Sequence, residues 1–182
     1  MTNEEGLSEE VKIPEGISIS IDRGIIKVKG KGEVKRKLTD PRVTIKAEGK
    51  KVIVLSNGTT KREKKIVNTF AAHISNMIKG ASEPYKYVLK ICSGHFPMSV
   101  SVNKNELVIK NLLGEKFPRT LKIKEGADVK VEGDQIIVES CNKEIAGQMA
   151  ADIELKTRRA DYDRRIFQDG IYIISKCGEE VK

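Results

Sequence analysis

Ser18-Ile-Ser-Ile-Asp22 and Ser99-Val-Ser-Val-Asn103 are two copies of one pattern, 81 positions apart, and they decide how the chain folds. In each copy a β-branched apolar side chain alternates with a polar one, as in a β-strand with one buried face. A second matched pair follows, Ile26-Lys-Val-Lys29 and Leu107-Val-Ile-Lys110. Recurrence at one period indicates an internal duplication. The chain is therefore predicted to contain two similar units.

The duplication continues into the later part of each half. Glu48-Gly-Lys-Lys-Val-Ile-Val54 recurs as Glu132-Gly-Asp-Gln-Ile-Ile-Val138, a turn that leads into a strand. Phe70-Ala-Ala-His-Ile74 recurs as Met149-Ala-Ala-Asp-Ile153, within stretches of helical period. The predicted helices, about 61–79 and 143–156, carry apolar stripes formed by Ile66, Phe70, Ile74 and Ile78 and by Ile145, Met149 and Ile153.

Each half is predicted to be an antiparallel sheet with one helix on one face, an α+β arrangement that leaves the other sheet face for solvent or a partner. The boundary is expected near Ser82, before Pro84, which gives domains over residues 1–82 and 83–182. Residues 1–10 are acidic and polar, and we expect a flexible tail there.

The charge of the chain points to an anionic partner. Lys and Arg number 34 against 26 Asp and Glu, a formal net charge of +8. Binding of such cations to a polyanion is favourable because it releases the condensed counterions of the polyanion. Nucleic acid is the commonest partner of a basic domain. An acidic membrane or an acidic protein is less favoured, and the charge could also serve solubility alone.

The basic residues form two clusters. Residues 1–81 hold 17 Lys and Arg against 10 acids, and residues 82–182 hold 17 against 16. Net charge therefore favours the first half. Arginine clustering favours the second half, because a planar guanidinium suits bidentate phosphate contact and stacking on bases. The cluster of the first half includes Lys29, Lys31, Lys35, Arg36 and Lys37. The cluster of the second half comprises Lys156, Arg158, Arg159, Arg164 and Arg165.

Candidates for catalysis are weak. His95 lies in a predicted turn, and Cys92 ends an apolar strand, so a core role is preferred over a cysteine–histidine pair. Gly30-Lys-Gly32 leads into Glu33 and not into a helix, which favours a strand-end turn over a phosphate loop. We expect no enzymatic activity, no cofactor and no small-molecule substrate.

Metal and membrane binding are not expected either. Two histidines and three dispersed cysteines provide no metal-ligand spacing. The N-terminus is acidic where a secretory leader would be basic and then apolar, and no apolar run is long enough to span a bilayer. The sequence predicts a cytoplasmic protein.

The C-terminal part carries a family resemblance. Arg165-Ile-Phe-Gln-Asp-Gly-Ile-Tyr-Ile-Ile-Ser-Lys176 resembles the C-terminal signature of ribosomal large-subunit protein six, in its archaeal and eukaryotic branch. Gln148-Met-Ala-Ala-Asp-Ile153 resembles the helical part of that signature. With Ile13-Pro-Glu-Gly16 and Gly94-His-Phe-Pro97, the resemblance covers nearly the whole of residues 13–176.

The resemblance implies a structural constituent of the large ribosomal subunit, located in the cytoplasm. Such proteins have two similar domains and bind 23S-type rRNA near the base of the acidic-protein stalk, close to the sarcin–ricin loop. Neighbouring ribosomal proteins at the stalk base are further expected partners. The second domain is the main rRNA-contacting one, which agrees with its arginine cluster.

These arguments define the predicted rRNA-binding residues. Asp169-Gly170 is predicted to form a tight turn that brings backbone close to RNA, the alternative being a plain turn into the last strand. Phe167 and Tyr172 could stack on bases, although core packing is preferred. The predicted rRNA contacts are Lys156, Arg158, Arg159, Arg164, Arg165, Asp169, Gly170 and Lys176. The secondary patch is Lys29, Lys31, Lys35, Arg36 and Lys37.

Two rival functions stay open on sequence alone. A general RNA or DNA chaperone would share the basicity but bind many nucleic acids with similar affinity. A phosphate-handling enzyme would need the Gly30–Gly32 turn to bind a nucleotide.

Overall fold

The computed structural model describes residues 6–163 and 165–181. The chain divides into two compact units, Met1–Pro84 and Tyr85–Lys182. Helices and antiparallel strands occur in both units, which confirms the predicted α+β class.

The first unit is built from strands that precede a single long helix within the described residues. Its elements are β1 (Ser8–Lys12), β2 (Ser18–Asp22), β3 (Ile25–Lys29), β4 (Glu33–Lys37), β5 (Val43–Glu48), β6 (Lys51–Ser56) and α1 (Lys61–Ser82). The strands pair in the orders β1-β6-β5 and β2-β3-β4. Helix α1 begins with a capping box, in which Thr60 N–H donates to the Glu63 carboxylate at 3.0 Å and Glu63 N–H donates to Thr60 Oγ1 at 3.4 Å.

The second unit repeats this plan and adds a C-terminal hairpin. Its elements are β7 (Tyr85–Cys92), β8 (Ser99–Asn103), β9 (Glu106–Lys110), a 3-10 turn (Leu112–Gly114), β10 (Arg119–Lys122), β11 (Asp128–Glu132), β12 (Gln135–Ser140), α2 (Lys143–Thr157), β13 (Gly170–Lys176) and β14 (Glu179–Glu180). The strands pair in the orders β8-β9-β10 and β11-β12-β7-β13-β14.

The strand orders correspond between the units. The order β1-β6-β5 matches β7-β12-β11, and β2-β3-β4 matches β8-β9-β10. Within the described residues each unit therefore divides its strands between two sheets, where the sequence predicted one meandering sheet. Strand β7 is central in its sheet, because β13 pairs with the side of β7 that β12 leaves free. The counterpart of β7 in the first unit, β1, stays at the edge of its sheet.

The prediction of a flexible tail over residues 1–10 is wrong for the last three of these residues. Ser8, Glu9 and Glu10 belong to β1, which pairs with β6 and places Val11 opposite Val52. Lys51 Nζ lies 2.8 Å from the Glu10 carboxylate across this pair. Charged side chains are common on edge strands, where they discourage pairing with other chains, so a charged stretch need not be unstructured. Residues 1–5 lie outside the described residues.

The apolar stripes predicted for the helices are buried in part. Ile74 and Ile78 of α1 are buried, but Ile66 and Phe70 are half-buried, and Val67 and Ala71 take the inner positions. In α2, Met149 and Ile153 are fully buried and Ile145 is half-buried. The buried face of α1 is thus rotated by about one residue from the predicted one.

One core holds the second unit together. Leu107 comes from the sheet of β9, Leu89 and Ile136 come from the sheet of β7, and Met149 and Ile153 come from α2. All five side chains are fully buried in a single cluster. The core fixes α2 against both β10 and β13, and so fixes the end of the helix from which the chain leaves toward the last strand.

Met149→Ala should destabilise the second unit by about 2–5 kcal/mol, because it removes a buried side chain and leaves a cavity. Leu155→Ala is the matched control on the same helix, since Leu155 is 56% exposed, and should change stability by no more than about 0.5 kcal/mol. Urea unfolding followed by circular dichroism measures both. Equal losses of stability for the two variants would contradict the packing of α2.

Candidate nucleic-acid interface

Three connecting segments meet at one end of the second unit. Gly170, the first residue of β13, pairs with Cys92, the last residue of β7. The loop 158–169 that precedes β13 therefore lies beside the turn 93–98 that follows β7. The segment 111–118 reaches the same end, because Arg119 Nη1 donates to the carbonyl of Lys156 at 2.6 Å.

Asp169 joins the first two of these segments. Its side chain is 3% exposed, and its carboxylate accepts hydrogen bonds from Gly94 N–H, from His95 N–H at 3.0 Å and from His95 Nδ1 at 2.5 Å. Burial acts to raise the pKa of this carboxyl, but the hydrogen bonds from His95 and Gly94 outweigh burial, and the pKa lies below its usual value. The carboxylate therefore holds the turn 93–98 in place as an anion.

A row of stacked side chains continues from His95. The His95 ring lies 4.9 Å from the Phe167 ring, and Phe167 meets Tyr162 edge to face at 5.0 Å. The guanidinium of Arg159 lies over the Tyr162 ring, 4.4 Å from its centre. We call His95, Phe167, Tyr162 and Arg159 the stacked row. Such ring–ring and cation–π contacts are each worth about 0.5–1.5 kcal/mol, so the row anchors the loop 158–169 at both ends.

Glu115 ties the stacked row to the end of α2. Its carboxylate accepts from Arg119 Nε at 2.8 Å and Nη2 at 2.7 Å, and Arg159 Nη1 lies 3.4 Å away. The hydrogen bonds from Arg119, opposed by burial and supported by the charges of both arginines, lower the pKa of Glu115. Arg119 also donates a hydrogen bond to the carbonyl of Lys156, one of the last carbonyls of α2. The helix dipole favours a cation at this end of the helix.

Three further cations at this end, two on or beside the last residues of α2 and one in the loop 158–169, are exposed. Lys156 and Arg158 are exposed, and neither side chain has a hydrogen bond or ion pair with a residue that the structure describes. Arg165 is 90% exposed and lies 3.1 Å from Asp163 across the tip of a turn. We call Lys156, Arg158 and Arg165 the basic rim. Arg164, which was predicted to belong to the same cluster, lies outside the described residues.

The structure separates the predicted contact residues. The predicted tight turn at Asp169-Gly170 was wrong: Asp169 is buried against the turn 93–98, and Gly170 is a buried residue of β13. Lys176 lies at the far end of β13, roughly 20 Å along the strand from Gly170. Arg159 is half-buried and engaged by Glu115 and Tyr162, so its main structural role is to hold the loop.

The secondary patch of the first unit is divided between the faces of one sheet. Val28 and Val34 are buried and point to one face, so Lys29, Lys35 and Lys37 point to the other. Arg36 shares the face of Val34 and is half-buried, and Lys31 lies in the turn between β3 and β4. Lys35 makes an ion pair with Glu33 at 2.9 Å. The five residues therefore form a three-lysine face and not a single patch.

Sequence reasoning missed the side-chain contacts that build this end of the unit. His95 and Asp169 are 74 positions apart, and Glu115 and Arg159 are 44 positions apart, so no local spacing reveals either contact. Tyr162 stands among charged residues and carries no apolar period. The one available signal was Gly94-His-Phe-Pro97, which entered the family resemblance without a structural role.

Three other features of the described residues concern metal sites, disulfides and membrane-spanning helices. In the described part of the chain, no three His, Cys, Asp or Glu side chains are placed to hold a metal ion. Cys92, Cys141 and Cys177 are half-buried free thiols. Among the described residues, no helix has both the length and the apolar character needed to cross a membrane.

Comparison with known proteins gives one family. The family described as Ribosomal protein L6 matches residues 13–83 and 96–170, so each unit carries one match. The large ribosomal subunit protein uL6 of Methanococcus vannielii is 46% identical over 174 residues, which are 95% of this chain and 96% of that protein. The uL6 protein of Methanobrevibacter smithii is 44% identical over 171 residues, 93% of this chain and 96% of that protein.

Asp169→Ala should destabilise the second unit by about 1–3 kcal/mol at neutral pH, because the N–H groups of Gly94 and His95 lose a charged acceptor. Urea unfolding measures the change in stability. Asp163→Ala is the control, since its carboxylate is exposed beside Arg165, and it should leave stability nearly unchanged.

The contribution of Asp169 should also depend on pH in one direction. A carboxyl whose folded pKa is lowered stabilises fully above its unfolded pKa of about 3.9, and this stability is lost as the pH falls through the folded value. The difference in unfolding free energy between the parent and Asp169→Ala should therefore shrink below about pH 4. A difference that stays the same or grows as the pH falls from about 4 to about 2 would contradict the anionic role of Asp169.

Proposed function

The chain belongs to the ribosomal protein L6 family, and on this premise we propose that it binds 23S-type rRNA of the large subunit mainly through its second unit. As a member of that family it is a structural ribosomal protein and not an enzyme. Its place is the cytoplasm, in the large ribosomal subunit, as for its uL6 relatives. We propose further that it lies near the stalk base and the sarcin–ricin loop, where neighbouring ribosomal proteins are its other partners.

The observation that carries the proposal is the basic rim on a rigid support. Lys156 and Arg158 stand exposed at the end of α2, and Arg165 stands at the tip of the turn beside Tyr162 and Phe167. Lys156 and Arg158 have no side-chain partner among the described residues, and the one ion pair of Arg165, with Asp163, is exposed. All three cations are therefore available to phosphates, and each phosphate contact releases condensed counterions. A contact surface held by the Asp169 and Glu115 hydrogen bonds also loses little conformational entropy when RNA binds.

The three-lysine face of the first unit supports a lesser role. Lys29, Lys35 and Lys37 carry positive charge, but they lie on a regular sheet face and Lys35 is already paired with Glu33. Lysine on a flat surface supplies attraction without the fork geometry that reads RNA shape. We assign to this face the long-range attraction of rRNA, and to the basic rim the direct binding of phosphates.

Binding to a large-subunit rRNA domain should exceed binding to an unrelated structured RNA of similar length at every salt concentration. The expected reason is that shape and positioned contacts add to the general electrostatic attraction. Filter binding or fluorescence anisotropy across a salt series measures both affinities. Equal affinity for the two RNAs would contradict the ribosomal assignment and indicate a general RNA chaperone.

Replacing the basic rim should identify the RNA-binding surface. A variant with Lys156→Ala, Arg158→Ala and Arg165→Ala should bind the rRNA domain more weakly, with a salt slope shallower by about one for each phosphate that the variant no longer binds. The matched control removes three charges from the first unit through Lys29→Ala, Lys35→Ala and Lys37→Ala. If the control lowers the slope more than the rim variant does, the first unit binds most of the phosphates and the proposal for the second unit fails.

A further inference from the structure

A pocket opens beside the basic rim, and it is large enough for a group of several heavy atoms. Its volume is about 170 Å³, against the ~30 Å³ that one water molecule occupies in the liquid. Arg158 of the basic rim and Glu154 of α2 are among its lining residues. Leu113, Leu155, Tyr162, Phe167 and Tyr172 supply its apolar lining. All these residues belong to the second unit.

Aromatic side chains are concentrated in this pocket. The chain has four Tyr and four Phe, and three of these eight line it. Phe167 and Tyr162 stand at 84° to one another, and Arg159 and His95 hold them from either end of the stacked row. Rings fixed in this way present flat surfaces without losing rotational freedom on binding. Unstacked RNA bases bind to such surfaces.

Leu113 lines the pocket, and its backbone has a strained conformation. It has φ 48° and ψ 37°, in the left-handed region, and it lies between Asn111 at φ 60° and Gly114 at φ 78°. Side chains other than glycine rarely adopt this region, and where they do, the residue is often part of a ligand site. The strained turn is held on its C-terminal side by the Glu115–Arg119 pair.

The polar groups of the pocket differ in their remaining capacity to accept hydrogen bonds from a ligand. Both oxygens of the Asp169 carboxylate accept hydrogen bonds from Gly94 or His95, and Thr157 Oγ1 donates to the Glu154 carbonyl and accepts from Ile171 N–H, both at 3.0 Å. Among the residues that the structure describes, the Glu154 carboxylate accepts one long bond, from Ile173 N–H to Oε1 at 3.4 Å. Glu154 therefore keeps an acceptor oxygen for a ligand that brings N–H donors.

We propose that this pocket receives one unpaired nucleobase of the rRNA, guanine by preference. The aromatic lining and Leu113 pack against the base, and the Glu154 carboxylate accepts from the two adjacent N–H groups that guanine presents on its pairing edge. Adenine and cytosine present a single amino group there, and uracil presents one N–H. Arg158 at the pocket and Arg165 on the basic rim bind the phosphates on either side. The inference rests on the proposed function and adds the recognition of a base to it.

Blocking the pocket tests its use by rRNA. Leu113→Trp fills it without changing any charge and should weaken binding to the rRNA domain about 5- to 150-fold, the equivalent of the ~1–3 kcal/mol of one stacked base. The salt slope should stay as in the parent. Val181→Trp, which places the same ring at a 45% exposed position of the same unit, is the control.

Titration with mononucleotides, followed by NMR, tests the recognition of the base itself. The same spectra show whether the protein is folded. Guanosine 5′-monophosphate should shift the methyl resonances of Leu113 and bind roughly 2- to 10-fold more tightly than adenosine 5′-monophosphate, the factor of one hydrogen bond. Because both probes carry the same phosphate, the difference reports the base. Glu154→Gln should abolish this difference while the rest of the spectrum stays that of the folded parent.

The outcomes separate the two proposals. If Leu113→Trp binds rRNA like the parent while the basic-rim variant loses affinity, the pocket is not used and the proposed function stands. If the mononucleotides leave Leu113 unshifted, or if the preference for guanine survives in Glu154→Gln, the base assignment is overturned. If the parent shows no preference for the rRNA domain, the proposed function fails and the pocket inference fails with it.

Discussion

The buried carboxylate of Asp169 is the constraint on which the functional end of the second unit depends. An anion with 3% exposure is costly unless donors surround it, and Gly94 and His95 supply two backbone N–H groups and an imidazole nitrogen. This requirement brings together two turns that are far apart in the chain. His95 then starts the stacked row, and the row positions the loop 158–169. The aromatic pocket and the tip that carries Arg165 follow from that placement.

The added hairpin explains why two copies of one fold have different properties. In the second unit β13 pairs along β7, so the chain must return from the end of α2 across the end of the sheet, and the loop 158–169 is that return. The first unit has the same strand orders, but β1 stays at the edge of its sheet with charged residues. No loop equivalent to 158–169 exists within the described residues of the first unit. Duplication thus provides the scaffold, and the extra strand creates the site.

Glu115 divides the basic residues of this end between two tasks. By engaging Arg119 and Arg159 it turns two guanidinium groups inward, where they hold the end of α2 and the Tyr162 ring. Lys156 and Arg158, which have no such partner among the described residues, stay available outside. Arginine suits both tasks, because one planar group can make several directed bonds and also stack on a ring. Sequence clustering alone does not separate the two roles.

The sequence determined the α+β class, the duplication and the helices, because alternation and helical period are local patterns. It also located the stretch that contains the basic rim. The tertiary structure alone decided that β1 is an ordered edge strand, that Asp169 is buried and Gly170 is part of β13, and that Lys176 lies far from the arginines. It alone brought Glu115, His95, Tyr162 and Leu113 to one end of the unit. These contacts join residues tens of positions apart, and pairing register and burial, which no local pattern records, decide them.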